Sequence, residues 1–255
     1  MAVHKLRNVR IFTGGADLTG QSNKVELGAE VEDKDTTNFG DVDANGDVWK
    51  SVIGGLGSAK VTAGGQWEAG DISLVDDDAW AALGGIGPWT IYPHESGPVG
   101  GAVGSVAWIV NGLRAQYALL GSPGDVAPWA ASATSTWPLV RGVGLHAPGV
   151  PRTATGTGTT VQRPAVLAGQ YVYASLHVLS VAGTGTPTLT VTVQSAADAG
   201  FTTPTDRATF TAATARTGQA LRVAAGPITD TYWRLSWTIT GTAPSFLFAA
   251  AVGIK

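Results

Sequence analysis

In the stretch TLTVTVQS (188–195) apolar and hydroxyl side chains alternate residue by residue, placing Leu189, Val191 and Val193 on one face and the threonines on the other. A period of two fits a half-buried strand and excludes an amphipathic helix. Similar segments follow at roughly ten-residue spacing through the second half of the chain: QYVYASLHVLSV, TPTLTVTVQSA, RATFTA, GQALRVAA, YWRLSWTITG and SFLFAAAVGIK. With 35 Gly and 13 Pro to make turns, the chain is expected to be mainly β, and residues 159–255 to form an antiparallel β-sandwich.

The first half is organised differently. Val9 and Ile11 open a strand, GGADLTG turns, and Val25, Leu27, Ala29 and Val31 share one face of a longer strand, which together predict a hairpin with one buried side. From Lys34 to Trp49 the alternation gives way to a polar stretch, KDTTNFGDVDANGDVW, longer than most connections in compact domains. Loops of that length are disproportionately functional, so Asp35, Thr36, Thr37, Asn38, Phe39, Asp41, Asp43, Asn45, Asp47 and Trp49 are the candidate interaction residues. A Gly-rich strand follows (50–67). DDDAWAAL (76–83) predicts a short helix, because three acids at its start and Gly84-Gly85 after its end suit the helix dipole. Residues 89–92 read as a strand, 103–120 as two strands bent at Asn111-Gly112, and VAPWAASATSTWPLVRGVGLH as two more. APGVPRTATGTG (147–158) lacks apolar period and reads as a flexible linker, dividing the chain into residues 1–146 and 159–255.

Charge and chemistry narrow the function. Only 14% of residues are charged and the net charge is -3 with no basic cluster in the sequence, which disfavours tight nucleic-acid binding and suggests a surface that expects a partner. The chain has no Cys, so disulfides and thiolate metal sites are excluded. No apolar run reaches a membrane span, and the N-terminus lacks a signal-peptide core. His4, His94, His146 and His177 are scattered, and Asp76, Asp77 and Asp78 serve a helix start more simply than an acid–base site, so no enzymatic activity is expected. Asp41, Asp43, Asn45 and Asp47 spell the front half of a calcium loop, but Val52 stands where the bidentate Glu belongs. Calcium is therefore the alternative to a plain Asn-Gly turn and no cofactor. The nine Trp residues leave a carbohydrate-binding module open as a rival reading, although Trp67, Trp108, Trp233 and Trp237 lie within strand patterns that suit a core.

The order GGADLTGQSNKVEL, TTNFGD, GGLGSAKVTAGGQWEAGD, DDDAW and SVAWIVNGLRAQYALLGSPGDVAP resembles the major tail tube proteins of long-tailed bacteriophages, particularly actinobacteriophages, over residues 5–145. The C-terminal half resembles a jelly-roll-like domain appended to phage tail proteins. The resemblance implies a tail-tube fold of β-sandwich and helix, and a homo-oligomer of six-subunit rings stacked into a tube. Genomic DNA would pass through the bore without specific binding. It further implies other tail proteins (tape measure, distal tail, terminator) as partners, a virion location after assembly in the host cytoplasm, and an outer C-terminal domain that host-surface glycans could engage. A distal tail or baseplate ring subunit shares these features and remains the alternative.

Overall fold

The computed structural model describes Leu6 and residues 8–70, 74–93 and 101–255. The protein is mainly β: the described residues form fourteen strands in one connected, antiparallel hydrogen-bonded network and one helix.

The first half contributes β1 (Arg10–Thr13), β2 (Ala16–Asp17), β3 (Ser22–Asp35), β4 (Val52–Gln66), α1 (Val75–Ala81), β5 (Ile86–Tyr92), β6 (Val106–Leu119), β7 (Pro128–Ser135) and β8 (Val140–His146). β3 pairs with β4 and not with β1, which lies instead between β2 and β5. The predicted one-sided hairpin is thereby corrected. Val25 and Leu27 do pack on a core with Val61, Ala63, Trp89 and Trp129, but Ala29 is exposed and Val31 is 66% exposed, because β3 and β4 run on past that core. The segment 103–120 is a single strand, β6, that changes neighbours where a bend was expected. Residues 106–109 pair with β8, and residues 112–119 pair with β7.

The second half contributes β9 (Gly156–Thr157), β10 (Val161–Gln162), β11 (Tyr171–Ala196), β12 (Thr205–Thr209), β13 (Thr217–Ala225) and β14 (Tyr232–Ile254). Four predicted strands merge into two. β11 and β14 pair along most of their lengths and fold over together where the register shifts, between Ala182 and Thr188. Gly183 and Gly241 sit at this fold with φ of 121° and 117°, a region that L side chains rarely enter. The fold-over brings Val172, Leu176 and Val178 onto Leu189, Val191, Val193, Trp233, Leu235 and Phe248 in one closed core. The alternation seen in the sequence is thus realised, with Leu189, Val191 and Val193 at most 1% exposed.

The two halves are joined by more than a tether. Residues 147–158, expected to be a flexible linker, are tied down: Arg152 exchanges both backbone hydrogen bonds with Phe246, Gly156 and Thr157 pair with β14, and the Trp237 indole donates to Ala154. β14 also pairs with β8 through Ala250–Gly253, so the sheet is continuous across the expected boundary. A third cluster straddles it, with Phe12, Tyr92, Ala107, Ile109 and Val140 against Tyr173, Leu179, Ala249 and Ala251. The Gly14-Gly15 turn abuts β13, where Arg216 donates twice to the Gly15 carbonyl (3.0 and 2.7 Å). A Cβ on Gly218 would lie 2.5 Å from Gly14 Cα, so only glycine permits this approach. Composition marked residues 147–158 as irregular, which they are. Irregular backbone is not free backbone once its polar groups have found strand partners.

The β8–β14 seam gives a sharp test. A Cβ on Gly142 would stand 2.1 Å from the Val252 carbonyl oxygen and 2.8 Å from Gly253 Cα, both backbone atoms. Gly142→Ala is expected to cost about 1–3 kcal/mol and lower the melting temperature by several degrees. Gly28→Ala, whose Cβ meets nothing within 4 Å, is expected to change it little.

Candidate assembly interface

Beyond Leu27 and Ala59 the β3–β4 ladder leaves the body, because no other strand covers either face. Pairing continues through Glu30↔Ser58 and Lys34↔Ile53 to Asp35↔Val52, with every residue from Gly28 to Ser58 exposed except Asp41, which is half-buried. An isolated two-stranded ribbon is marginal in water, so an arm of this length that carries exposed apolar side chains among its charges is suited to being covered in an assembly. Val31, Val52, Ile53 and Leu56 are 50–81% exposed along it, and at the tip Phe39 is fully exposed and Trp49 is 72% exposed.

All ten residues singled out in the sequence fall on this arm: Asp35 ends β3, and the others lie in the connection 36–51. Local hydrogen bonds give that connection shape. Thr36 N–H donates to the Ser51 carbonyl, Ser51 N–H to Thr37 Oγ1, Thr37 N–H to Asp35 and Asn38 N–H to Asp41. Val42 and Val48 bridge, and Asp43 Oδ1 accepts from the N–H groups of Asn45 (2.8 Å) and Asp47 (3.0 Å). These backbone donors hold the Asp43 carboxyl below the usual range, with Asp47 N–H the larger cause, and the Thr37 hydroxyl does the same for Asp35. The DVDANGD segment is therefore an Asx-type turn whose central carboxylate is occupied by its own backbone. Among the described residues, no three His, Asp or Glu side chains group as a metal would require. Sequence reasoning missed Val52, Ile53 and Leu56, which it placed in an ordinary Gly-rich strand. Nothing in their local pattern distinguishes a strand that is covered from one that projects.

A second apolar surface surrounds α1. Asp78 pairs with Arg114 at 3.0 Å, both nearly buried, Asp76 accepts from the Tyr117 hydroxyl at 2.6 Å, and Asp77 accepts from Gly70 N–H. Burial raises the Asp78 carboxyl despite the Arg114 charge beside it. Asp76 and Asp78 thus fasten the helix to β6 and Asp77 ties it to the segment after β4, a role beyond the dipole effect expected of them. On the outer side Trp80 (68% exposed) and Leu83 stand near the exposed cross-strand pair Ile86 and Leu113.

The remaining polar groups serve the interior. His177 is fully buried, its Nδ1–H donating to the Gly14 carbonyl (2.8 Å) while Nε2 accepts from Thr90 Oγ1 (2.7 Å), which in turn accepts from Ser175. His146 donates through Nδ1–H to the Phe248 carbonyl, accepts from Arg152 and stacks on the Phe248 ring at 3.9 Å. Burial pushes both imidazoles down to about 4. Ser195, Arg207 and Asp230 form a closed triangle: the Ser195 hydroxyl and Arg207 both donate to the Asp230 carboxylate, and Arg207 Nε donates to Ser195 Oγ. His4 and His94 lie outside the described residues. Of the aromatic residues considered for a sugar platform, Trp233 and Trp237 are core and Trp67 and Trp108 are half-buried. No described helix is long and apolar enough to cross a membrane.

No protein-family model matches the chain, and no curated protein matches it. Solved structures with a similar course include a chain from the virion of a native gene transfer agent particle, at 15% identity and a TM-score of 0.40, covering 54% of this chain and 97% of that one. A chain from the tail of an empty gene transfer agent particle, refined helically with C6 symmetry, gives 15% identity and 0.35 over 47% and 80%. The Dit (gp 19.1) protein of SPP1, described as a hub adsorption apparatus in phages infecting Gram-positive bacteria, gives 11% identity and 0.32 over 98% and 100%.

Proposed function

We propose that the chain is a non-enzymatic structural subunit of a long-tailed phage tail, a major tail tube protein whose copies close into rings, in the family's manner six, and stack into the conduit for DNA. In this reading residues 1–146 supply the wall and residues 159–255 an outer layer, held rigidly through the β8–β14 seam. The observation that carries the proposal is the arm: a two-stranded ribbon with bare faces, apolar side chains and a structured tip has no role in an isolated monomer. The β3 edge supports it, since among the described residues Ser22–Asp35 pairs only with β4 and leaves a long row of backbone groups for another chain. The Trp80–Leu113 surface supplies a further contact, and a sparsely charged wall does not trap passing phosphate. The loop turn is shaped by the Asn45 and Asp47 N–H groups donating to Asp43, and calcium is no part of the proposal.

Negative-stain microscopy of the purified protein is expected to show tubes; single rings that never stack would instead support a distal hub subunit, and persistent monomers at high concentration would defeat both. Replacing residues 36–48 by a two-residue turn is expected to leave a folded chain, with unchanged circular dichroism, that no longer forms tubes. Undiminished tubes from that variant would remove the arm from the assembly.

A further inference from the structure

The charge of the molecule is unevenly placed. Of its 19 acidic and 16 basic residues, eight and two lie between Glu26 and Lys50, so the arm carries -6 and the rest of the chain +3. An acidic, aromatic-tipped arm on a basic body is complementary to a second copy of itself.

The body offers a groove where an apolar lining meets a cation. A groove of about 540 Å³ opens at the root of the arm, between Val31 and Ser58 on one side and Trp137, Pro138 and Leu139, in the β7–β8 turn, on the other. Its volume falls within the range that holds an aromatic side chain together with its flanking backbone. Lys255 stands on its rim with Nζ donating to the Leu139 carbonyl at 3.4 Å. Arg141, exposed in β8 next to Gly142, which pairs with Gly253 two residues before Lys255, is near enough to Arg163 for its charge to join burial in lowering that guanidinium. Among the described residues none of these three cations has a carboxylate within ion-pairing distance. Glu30 is the one acid in the lining, and it is engaged by Ser58 Oγ at 3.1 Å.

We infer that this groove is the seat for the arm tip of another copy of the chain, receiving Phe39 and Trp49 against Trp137–Leu139 while the tip carboxylates face Lys255 and Arg141. The tip cannot fill its own groove, because the ladder from Val31↔Gly57 to Asp35↔Val52 holds the two apart along one extended ribbon. Each copy therefore gives a tip and receives one. A contact between two different patches of the same molecule propagates without limit unless a rotation closes it, which is what stacking demands. The inference rests on the tube reading and specifies where its arm lands. It also makes stacking salt-sensitive, since exposed charges are screened beyond about 10 Å at 0.1 M.

Charge reversal tests the seat. A groove-reversed chain (Arg141→Glu with Lys255→Glu) and an arm-reversed chain (Asp33→Lys with Asp47→Lys) change only exposed side chains, so both should melt as the wild type does. Each is expected to raise the concentration needed for polymerisation by about tenfold or more at low salt, and a chain carrying all four substitutions to recover most of it. Groove-reversed chains that polymerise like the wild type, or a fourfold variant with no recovery, would overturn the seat. Mixing gives a readout that needs no polymer: the arm-trimmed chain, with its groove intact, and the groove-reversed chain, with its arm intact, should form a one-to-one complex in sedimentation velocity. Absence of that complex also overturns it. If trimming the arm abolishes tubes and reversing the groove does not, the seat is wrong and the tube reading stands; if trimming leaves tubes intact, the tube reading loses its arm as well.

Discussion

Removing residues 151–255 is expected to yield an aggregating fragment with lost near-ultraviolet dichroism, not a free-standing first domain. The cut strips β14 from β8, leaving the backbone groups of Gly142, Val143 and Gly144 as an exposed strand edge of the kind that invites association. It removes Tyr173, Leu179, Ala249 and Ala251 from the straddling cluster, uncovering Phe12, Tyr92, Ile109 and Val140, each now fully buried. Returning a large apolar side chain to water costs roughly 1.5–3 kcal/mol, so four of them approach the whole stability of an ordinary domain. Thr90 and Gly14 lose His177 as well. A linker reading of residues 147–158 predicts the opposite, a fragment that keeps its structure and its ring contacts. Size-exclusion chromatography and thermal melting of residues 1–150 distinguish the two. A monodisperse fragment melting cooperatively near the temperature of the full chain would show that the seam between the halves contributes little.

What could be read from the sequence depended on whether local pattern and environment agree. Leu189, Val191 and Val193 alternate and are buried, since the face they define is covered by β14 folding over with β11. Val25, Leu27, Ala29 and Val31 alternate just as regularly, yet burial stops at Leu27. Periodicity reports that a strand has two faces, and the presence of a cover is decided by other parts of the chain. The same limit hid Ile53 and Leu56 among glycines. It also separated β11 and β14 into pairs of shorter strands, because Gly183, Gly185 and Gly241 punctuate the sequence as turns while the hydrogen-bonded ladder passes through the fold. The loop 36–51 was legible for a different reason: its polarity and length have no counterpart in a compact connection. The groove was not legible at all, being assembled from Val31, Ser58, Trp137 and Lys255, which only the tertiary fold brings together.

Acid is expected to loosen the seam between the halves before it affects the carboxylates that the fold holds low. His146 and His177 are neutral in the fold with values lowered from 6.5 to about 4, chiefly by burial. Because folding depresses these values, the unfolded chain binds the protons more readily. The stabilisation is fully present above about pH 6.5 and declines as the pH falls toward 4. At about 1.4 kcal/mol per pH unit, each imidazole withdraws on the order of 3 kcal/mol over that window. Asp78 acts in the opposite direction, since its raised value lets the folded state take up a proton first as the pH drops, and it offsets part of the loss. Asp230, lowered by Ser195 and then by Arg207, loses its contribution only below that window. Urea unfolding should therefore give a midpoint that falls steeply between pH 6.5 and 4.5. In His177→Gln the amide can still donate to the Gly14 carbonyl and accept from Thr90 without taking a proton. That variant is expected to be less stable than the wild type at pH 7.5 by about 1–2 kcal/mol, and to lose roughly half of the pH dependence. An unchanged slope in the variant would mean that His177 is not the group being titrated, and that the seam opens to water around it well before the chain unfolds.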